Sequence, residues 1–183
     1  MLLYKKIEIP NFEIISEEII TLVQPQISQN LRFWDLSLLT FSNYTPVFFN
    51  YLKTHFYKFP ILFRFYNTPP FSKLGPHIDN VPTALNRIGF NLPLLGTKNT
   101  SMSYYDTPKD NLQISYTGFA NMPTQLIKNN ERLVLVDSVE IDKPTLLRTD
   151  AIHGVDNPNA TYRLILGMKF IGTTFESVYR FDL

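Results

Sequence analysis

Residues 144–170 read PTLLRTDAIHGVDNPNATYRLILGMKF. Two runs rich in Leu, Ile, Thr and Tyr, 144–149 and 161–170, flank the segment GVDNPNA. Gly, Pro, Asn and Asp punctuate a chain between strands, so the stretch reads as strand, turn, strand. The same texture extends upstream as the runs 61–67, 87–94, 101–106, 112–118 and 132–140. The separators NTPPFSKLGP, LGTKN, TPKDN and DKP are again turn-rich. Many short strands at this spacing predict a β-sandwich or barrel.

The first third of the chain reads differently. Residues 3–9 suit a strand ended by Pro10, whereas Phe12, Ile15, Ile19, Ile20 and Val23 recur at helical spacing over 12–24. Residues 46–57, PVFFNYLKTHFY, open with proline after Thr45, a helix-start arrangement, and are amphipathic. The expected class is mainly β (α+β), with one domain spanning 1–183. Residues 1–59 supply a strand and helices that support a β core at 60–171. Trp34 reads as a core anchor and His55 as a structural residue of the second helix.

Composition narrows the chemistry. The chain has 183 residues, of which 44% are hydrophobic, with 15 Phe, 10 Tyr and only 7 Gly. That is enough apolar material for one core and argues against disorder. The net charge of +1 and the absence of a basic block argue against electrostatically driven nucleic-acid binding, so no nucleic-acid partner is expected, while a nucleotide or nucleic-acid substrate stays open. Without cysteine, disulfides, thiolate metal sites and cysteine nucleophiles are excluded, so a metal would need nitrogen and oxygen ligands. The opening residues do not resemble a signal peptide and no run is long enough to span a membrane, so the expected location is the cytoplasm. Neither a G-x-S-x-G elbow nor a P-loop is present.

The three histidines then matter. In GPHIDN, His77 and Asp79 stand two apart, and on an extended strand such residues point to the same side. His153, in DAIHGVDN, lies 76 residues further on and would arrive from a distant strand. Two imidazoles and one carboxylate on one face of an ion leave three positions open, the 2-His-1-carboxylate arrangement of non-haem iron(II) oxygenases. Arg163 follows His153 by ten residues across the turn. If 148–153 and 161–168 are neighbouring antiparallel strands, Arg163 can share the cavity and pair bidentately with a carboxylate. Asp150 and Asp156 read as turn-shaping residues, and Arg64 and Arg148 as strand residues that either reach substrate or face water on the outer side, the second reading being preferred.

These segments, PHID, RIGFNLPL, SYYD, PTLLRTDAIHGVDNP and YRLILGMKF, together resemble the 2-oxoglutarate/Fe(II)-dependent oxygenases. The flavour is similar to aspartyl/asparaginyl or prolyl hydroxylase-like proteins of small phage and bacterial type. The resemblance covers roughly residues 60–171 and implies a double-stranded β-helix, a jelly-roll or cupin-like core. It places the metal triad on His77, Asp79 and His153 and the co-substrate arginine on Arg163. It implies Fe(II), 2-oxoglutarate and O2 as cofactor and co-substrates, with oxidative decarboxylation to succinate and CO2 and hydroxylation of an amino-acid, peptidyl or small-molecule substrate. One departure is Ile165, where many members carry Ser or Thr two residues after the arginine. The second hydrogen bond to the far carboxylate then falls to Tyr104, Tyr105, Asn91 or Thr149, and Arg87 resembles a basic residue near the co-substrate. Tyr104 and Tyr105 alternate, so only one can face the cavity.

Two other readings stand beside this one. A cupin-like metal protein would use the same ligands without 2-oxoglutarate, and Ile165 is the feature that keeps this reading open. A non-catalytic binding or structural module would keep the fold without turnover. Substrate choice is expected from loops at 67–76, 80–86, 95–100 and 119–131. The ligand set alone does not choose Fe(II) over other divalent metals, and the sequence is silent on oligomeric state.

Overall fold

The computed structural model describes residues 2–79, 88–116, 123–172 and 174–182. Their elements run β1 (Tyr4–Lys6), α1 (Phe12–Ser28), β2 (Phe33–Asp35), α2 (Leu38–Tyr44), α3 (Pro46–His55), β3 (Leu62–Thr68) and β4 (Ser72–Asp79). They continue with β5 (Ile88–Leu95), β6 (Ser101–Asp106), β7 (Leu112–Tyr116), β8 (Pro123–Ile127), β9 (Val134–Glu140), β10 (Thr145–Arg148), β11 (Ile152–Asn157) and β12 (Arg163–Phe170).

The strands form two six-stranded antiparallel sheets. One has the order β1-β10-β5-β12-β3-β2, the other β7-β8-β4-β11-β6-β9. Consecutive strands β3, β4, β5 and β6 alternate between the sheets, and β9, β10, β11 and β12 alternate again. This double alternation is a jelly roll, the double-stranded β-helix expected from the sequence. The β7–β8 hairpin extends the second sheet beyond β4.

The helices cover the outer face of the first sheet. On α1, Ile15, Ile19 and Val23 form one buried stripe at four-residue spacing. Ser37 caps α2 by accepting from the Thr40 N–H at 3.1 Å. Pro46 opens α3, where a missing N–H costs nothing. The Glu18 carboxylate of α1 accepts from the Val47 and Phe48 N–H groups, which ties the two helices together at a positive helix end. Phe41 and Phe48 bury against Phe63 and Phe65 of β3, and the cluster continues through Phe90, Leu92, Leu166 and Phe170.

Every residue of β12 is buried, because the strand is covered on both faces. Period-two alternation sends Leu164, Leu166, Met168 and Phe170 into the helix-covered core. Arg163, Ile165, Gly167 and Lys169 take the opposite face and line the cavity between the sheets.

One expectation is overturned here. The strands carrying His153 and Arg163 are not neighbours: β11 pairs with β4 and β6, and β12 with β3 and β5 in the other sheet. The turn after residue 157 carries the chain across the sandwich instead of folding it back as a hairpin. His153 and Arg163 still meet, because both sheets face the same interior. Among the described residues no helix is long and apolar enough to cross a membrane.

Candidate metal centre

His77 and His153 are direct cross-strand partners on β4 and β11, with ring centroids 4.6 Å apart. The two strands approach closely at Gly154, where an added Cβ would lie 3.1 Å from the Leu74 carbonyl oxygen and 3.4 Å from the Pro76 nitrogen. The register shifts between His153 and Val155, a local irregularity that aims the histidine.

Each imidazole is oriented by the backbone two residues before it. His77 Nδ1 lies 2.8 Å from the Gly75 carbonyl oxygen and His153 Nδ1 lies 2.9 Å from that of Ala151. A ring that donates from Nδ1 keeps its Nε2 lone pair free for a metal. Asp79 completes the group: Oδ1 is 3.3 Å from His77 Nε2, and Oδ2 is 3.8 Å from His153 Nε2. The ligand atoms of His77, Asp79 and His153 all lie within 4.8 Å of one another. Metal–ligand bonds of about 2.1 Å put neighbouring ligands about 3 Å apart, so one ion can take all three after small side-chain shifts.

The electrostatics are asymmetric. Burial disfavours the charged form of His77, but the Asp79 hydrogen bond and charge outweigh it and raise its pKa. His153 is lowered to about 4 by burial, then by the charge of His77. Burial works against the Asp79 carboxylate, yet Lys169 and the two histidines hold it well below the usual carboxylate range. Lys169 Nζ donates to Asp79 Oδ2 at 2.6 Å. The sequence reading missed this lysine. Its signal was the alternation 163, 165, 167, 169 along one strand, which places it on the same face as Arg163.

The triad opens into a cavity of about 430 Å³ between the sheets. Arg163 lines it, 2% exposed, with Nε donating to Thr100 Oγ1 at 3.1 Å. Among the described residues nothing hydrogen-bonds its Nη2, and burial lowers its pKa to about 10, so it stays a cation at neutral pH. A buried, half-satisfied guanidinium is a costly feature unless an anion pairs with it. Met102, Leu147, Val155 and Ile165 supply apolar walls. A group able to hold a metal on one side, a cation on the other and apolar walls between suit a short dicarboxylate.

Asn91 and Thr149 line this cavity, as Tyr66 does. Tyr104 and Tyr105 do not line it: Tyr104 is 1% exposed, stacked on Tyr4, with a buried hydroxyl that has no hydrogen-bond partner among the described residues. Tyr105 points the other way along β6, as alternation requires, and Arg87 lies outside the described residues. Arg64 and Arg148 are both buried and held in bidentate pairs by Asp35 and Asp150, a correction to their reading as outward-facing. Asp156 pairs with Lys73.

The fold and site together define a jelly-roll protein with a His-Asp-His group at its inner face. It is similar to the non-heme alpha ketoglutarate dependent carbocyclase SnoK from nogalamycin biosynthesis, with TM-score 0.57 and 12% identity over 92% of this chain and 80% of that one. It is also similar to AviO1 from Streptomyces viridochromogenes Tue57, with TM-score 0.52 and 12% identity over 92% of this chain and 89% of that one. A Pseudomonas putida prolyl-4-hydroxylase matches at TM-score 0.42 and 12% identity over 98% of this chain and 87% of that one, too loosely to argue from. At such identity these are likenesses of fold. The sequence matches no protein-family model and no curated protein.

Proposed function

We propose that this protein is an Fe(II)- and 2-oxoglutarate-dependent dioxygenase, a hydroxylase of an amino-acid, peptidyl or other small-molecule substrate. The observation that carries this reading is the shared cavity: an N,N,O ligand set on one wall faces an unsatisfied buried guanidinium on the other. His77, Asp79 and His153 hold the metal, and Arg163 takes the far carboxylate of the co-substrate. Bound Fe(II) supplies the oxidative chemistry that turns 2-oxoglutarate and O2 into succinate, CO2 and an oxidised substrate.

The chain's own residues do the positioning. Gly75 and Ala151 fix the imidazole tautomers, and Thr100 fixes the Arg163 fork. The helix-covered sheet keeps bulk water from one side of the cavity. Asn91 and Thr149, which line the cavity, are the candidates for the second hydrogen bond that Ile165 does not offer. No nucleic-acid or membrane partner is proposed, and the site of action is read as the cytoplasm.

The test is succinate release. Purified protein with Fe(II), ascorbate and 2-oxoglutarate should form succinate in a slow, substrate-uncoupled turnover, and His153→Ala should not. Metal uptake without any succinate or 2-oxoglutarate binding would favour the cupin-like reading to which Ile165 points.

A further inference from the structure

Lys169 is the cavity residue for which the triad has no use. It sits on β12 with a side chain only 8% exposed, and its ammonium lies 2.6 Å from Asp79 Oδ2. Ammonium groups are rarely buried without a specific reason. The pairing splits the carboxylate: Oδ2 is engaged by Lys169, whereas Oδ1 is the oxygen that stands 3.3 Å from His77 Nε2. A lysine and a divalent cation compete for the same negative charge, so the placement works against metal affinity. A pairing that opposes the site's first task needs a second task to account for it.

Resting on the oxygenase reading above, we propose that Lys169 is a positioning residue that restricts Asp79 to one metal–oxygen bond and keeps the loaded site cationic enough to take a dicarboxylate. A donor on Oδ2 takes up one of its two lone pairs and sets a positive charge against a second metal–oxygen bond. Two imidazoles and one oxygen then leave three coordination positions open. A bidentate Asp79 would close one of them, and a chelating 2-oxo acid together with O2 needs all three. Charge points the same way. A divalent ion with Asp79 alone carries a net single positive charge at the metal end, and Lys169 adds a second there, alongside the Arg163 cation that faces the far carboxylate.

The test uses Co(II) as the probe, titrated into chelator-treated full-length protein, followed by 2-oxoglutarate titrated into the Co(II)-loaded protein. In Lys169→Met, Co(II) should bind about tenfold more tightly, because the competing cation has gone. The same variant should bind 2-oxoglutarate about tenfold more weakly, and its visible Co(II) absorption should change as the coordination number rises. Lys169→Arg should stay near wild type in both titrations. Lys169→Gln keeps a donor without the charge and should again tighten Co(II), which preserves the test should the methionine variant not fold. Both affinities within about threefold of wild type in the uncharged variants would make Lys169 a structural ion pair and overturn the proposal. Weaker Co(II) binding in those variants would also overturn it, since Lys169 would then support the metal rather than compete with it. Wild-type protein that takes up no Co(II) would sink the oxygenase reading itself, a distinct failure.

Discussion

Arg163 is the residue whose physics departs furthest from a plain structural role. Its Nη2 is buried without a partner among the described residues. A structural arginine stabilises its fold, but this one should strain it. Arg163→Met should therefore raise the unfolding free energy in the absence of ligands by about 1–3 kcal/mol, read by urea denaturation. The same change should leave Co(II) affinity within about threefold of wild type and weaken 2-oxoglutarate binding by about 10- to 100-fold. A destabilised variant with unchanged co-substrate affinity would return Arg163 to the structural class. The two histidines carry a second prediction at this scale. Metal ligands must be unprotonated. His153, lowered to about 4, is already neutral at neutral pH, and Asp79 is already ionised. His77 is raised above its ordinary value by Asp79, so it is the ligand that takes up a proton first as the pH falls. Metal affinity should fall by about tenfold per pH unit below the His77 pKa and level off above it, with one proton released per ion rather than two. Calorimetry in buffers of different ionisation enthalpy counts that proton.

At the scale of elements, the proposed metal site requires β4 and β11 to lie close enough for their histidines to share an ion. Gly154 permits this, with an added Cβ facing backbone atoms of Leu74 and Pro76 that cannot swing away. Gly154→Ala should push the strands apart and weaken metal binding by about tenfold while the protein stays folded; equal metal affinity would show that the strands have slack. The same two strands show where the sequence was hard to read. The helices at 12–24 and 46–57 and the strands at 61–67, 101–106 and 161–170 were legible, because apolar periodicity and β-branched or aromatic residues mark them. SKLGPHID and IHGVDN were not legible as whole strands, because Gly75, Pro76, Gly154 and Asn157 are turn formers in isolation. They are held extended by ladders on both sides, β8 and β11 around β4 and β4 and β6 around β11. The short β2, α2 and β8 also escaped the reading, being too brief for a periodic signal.

At the scale of the molecule, the jelly roll explains why a site drawn from residues 77 to 169 converges at all. Its strands alternate between sheets, so His77, Asp79 and His153 come from one wall and Arg163 and Lys169 from the other. The triad was legible because HxD with a distal histidine is local chemistry at recognisable spacing. The sheet partners of β11 and β12 were not, since a ten-residue spacing suits both a hairpin and a crossover between sheets. Lys169 went unseen because nothing local distinguishes it from a lysine at a strand end. The helices sit on the outer face of the Arg163 sheet, which gives that strand two buried faces and leaves the inner one to chemistry.

In the proposed function the metal and 2-oxoglutarate meet in this one cavity. The direct measurement is an anaerobic titration of chelator-treated protein with Fe(II) and then 2-oxoglutarate, followed by visible absorption. A weak metal-to-ligand charge-transfer band should appear only after both additions and be absent from His153→Ala. Iron bound with no such band would contradict 2-oxoglutarate chelation at the His77–Asp79–His153 site, and no iron bound at all would contradict the metal centre itself.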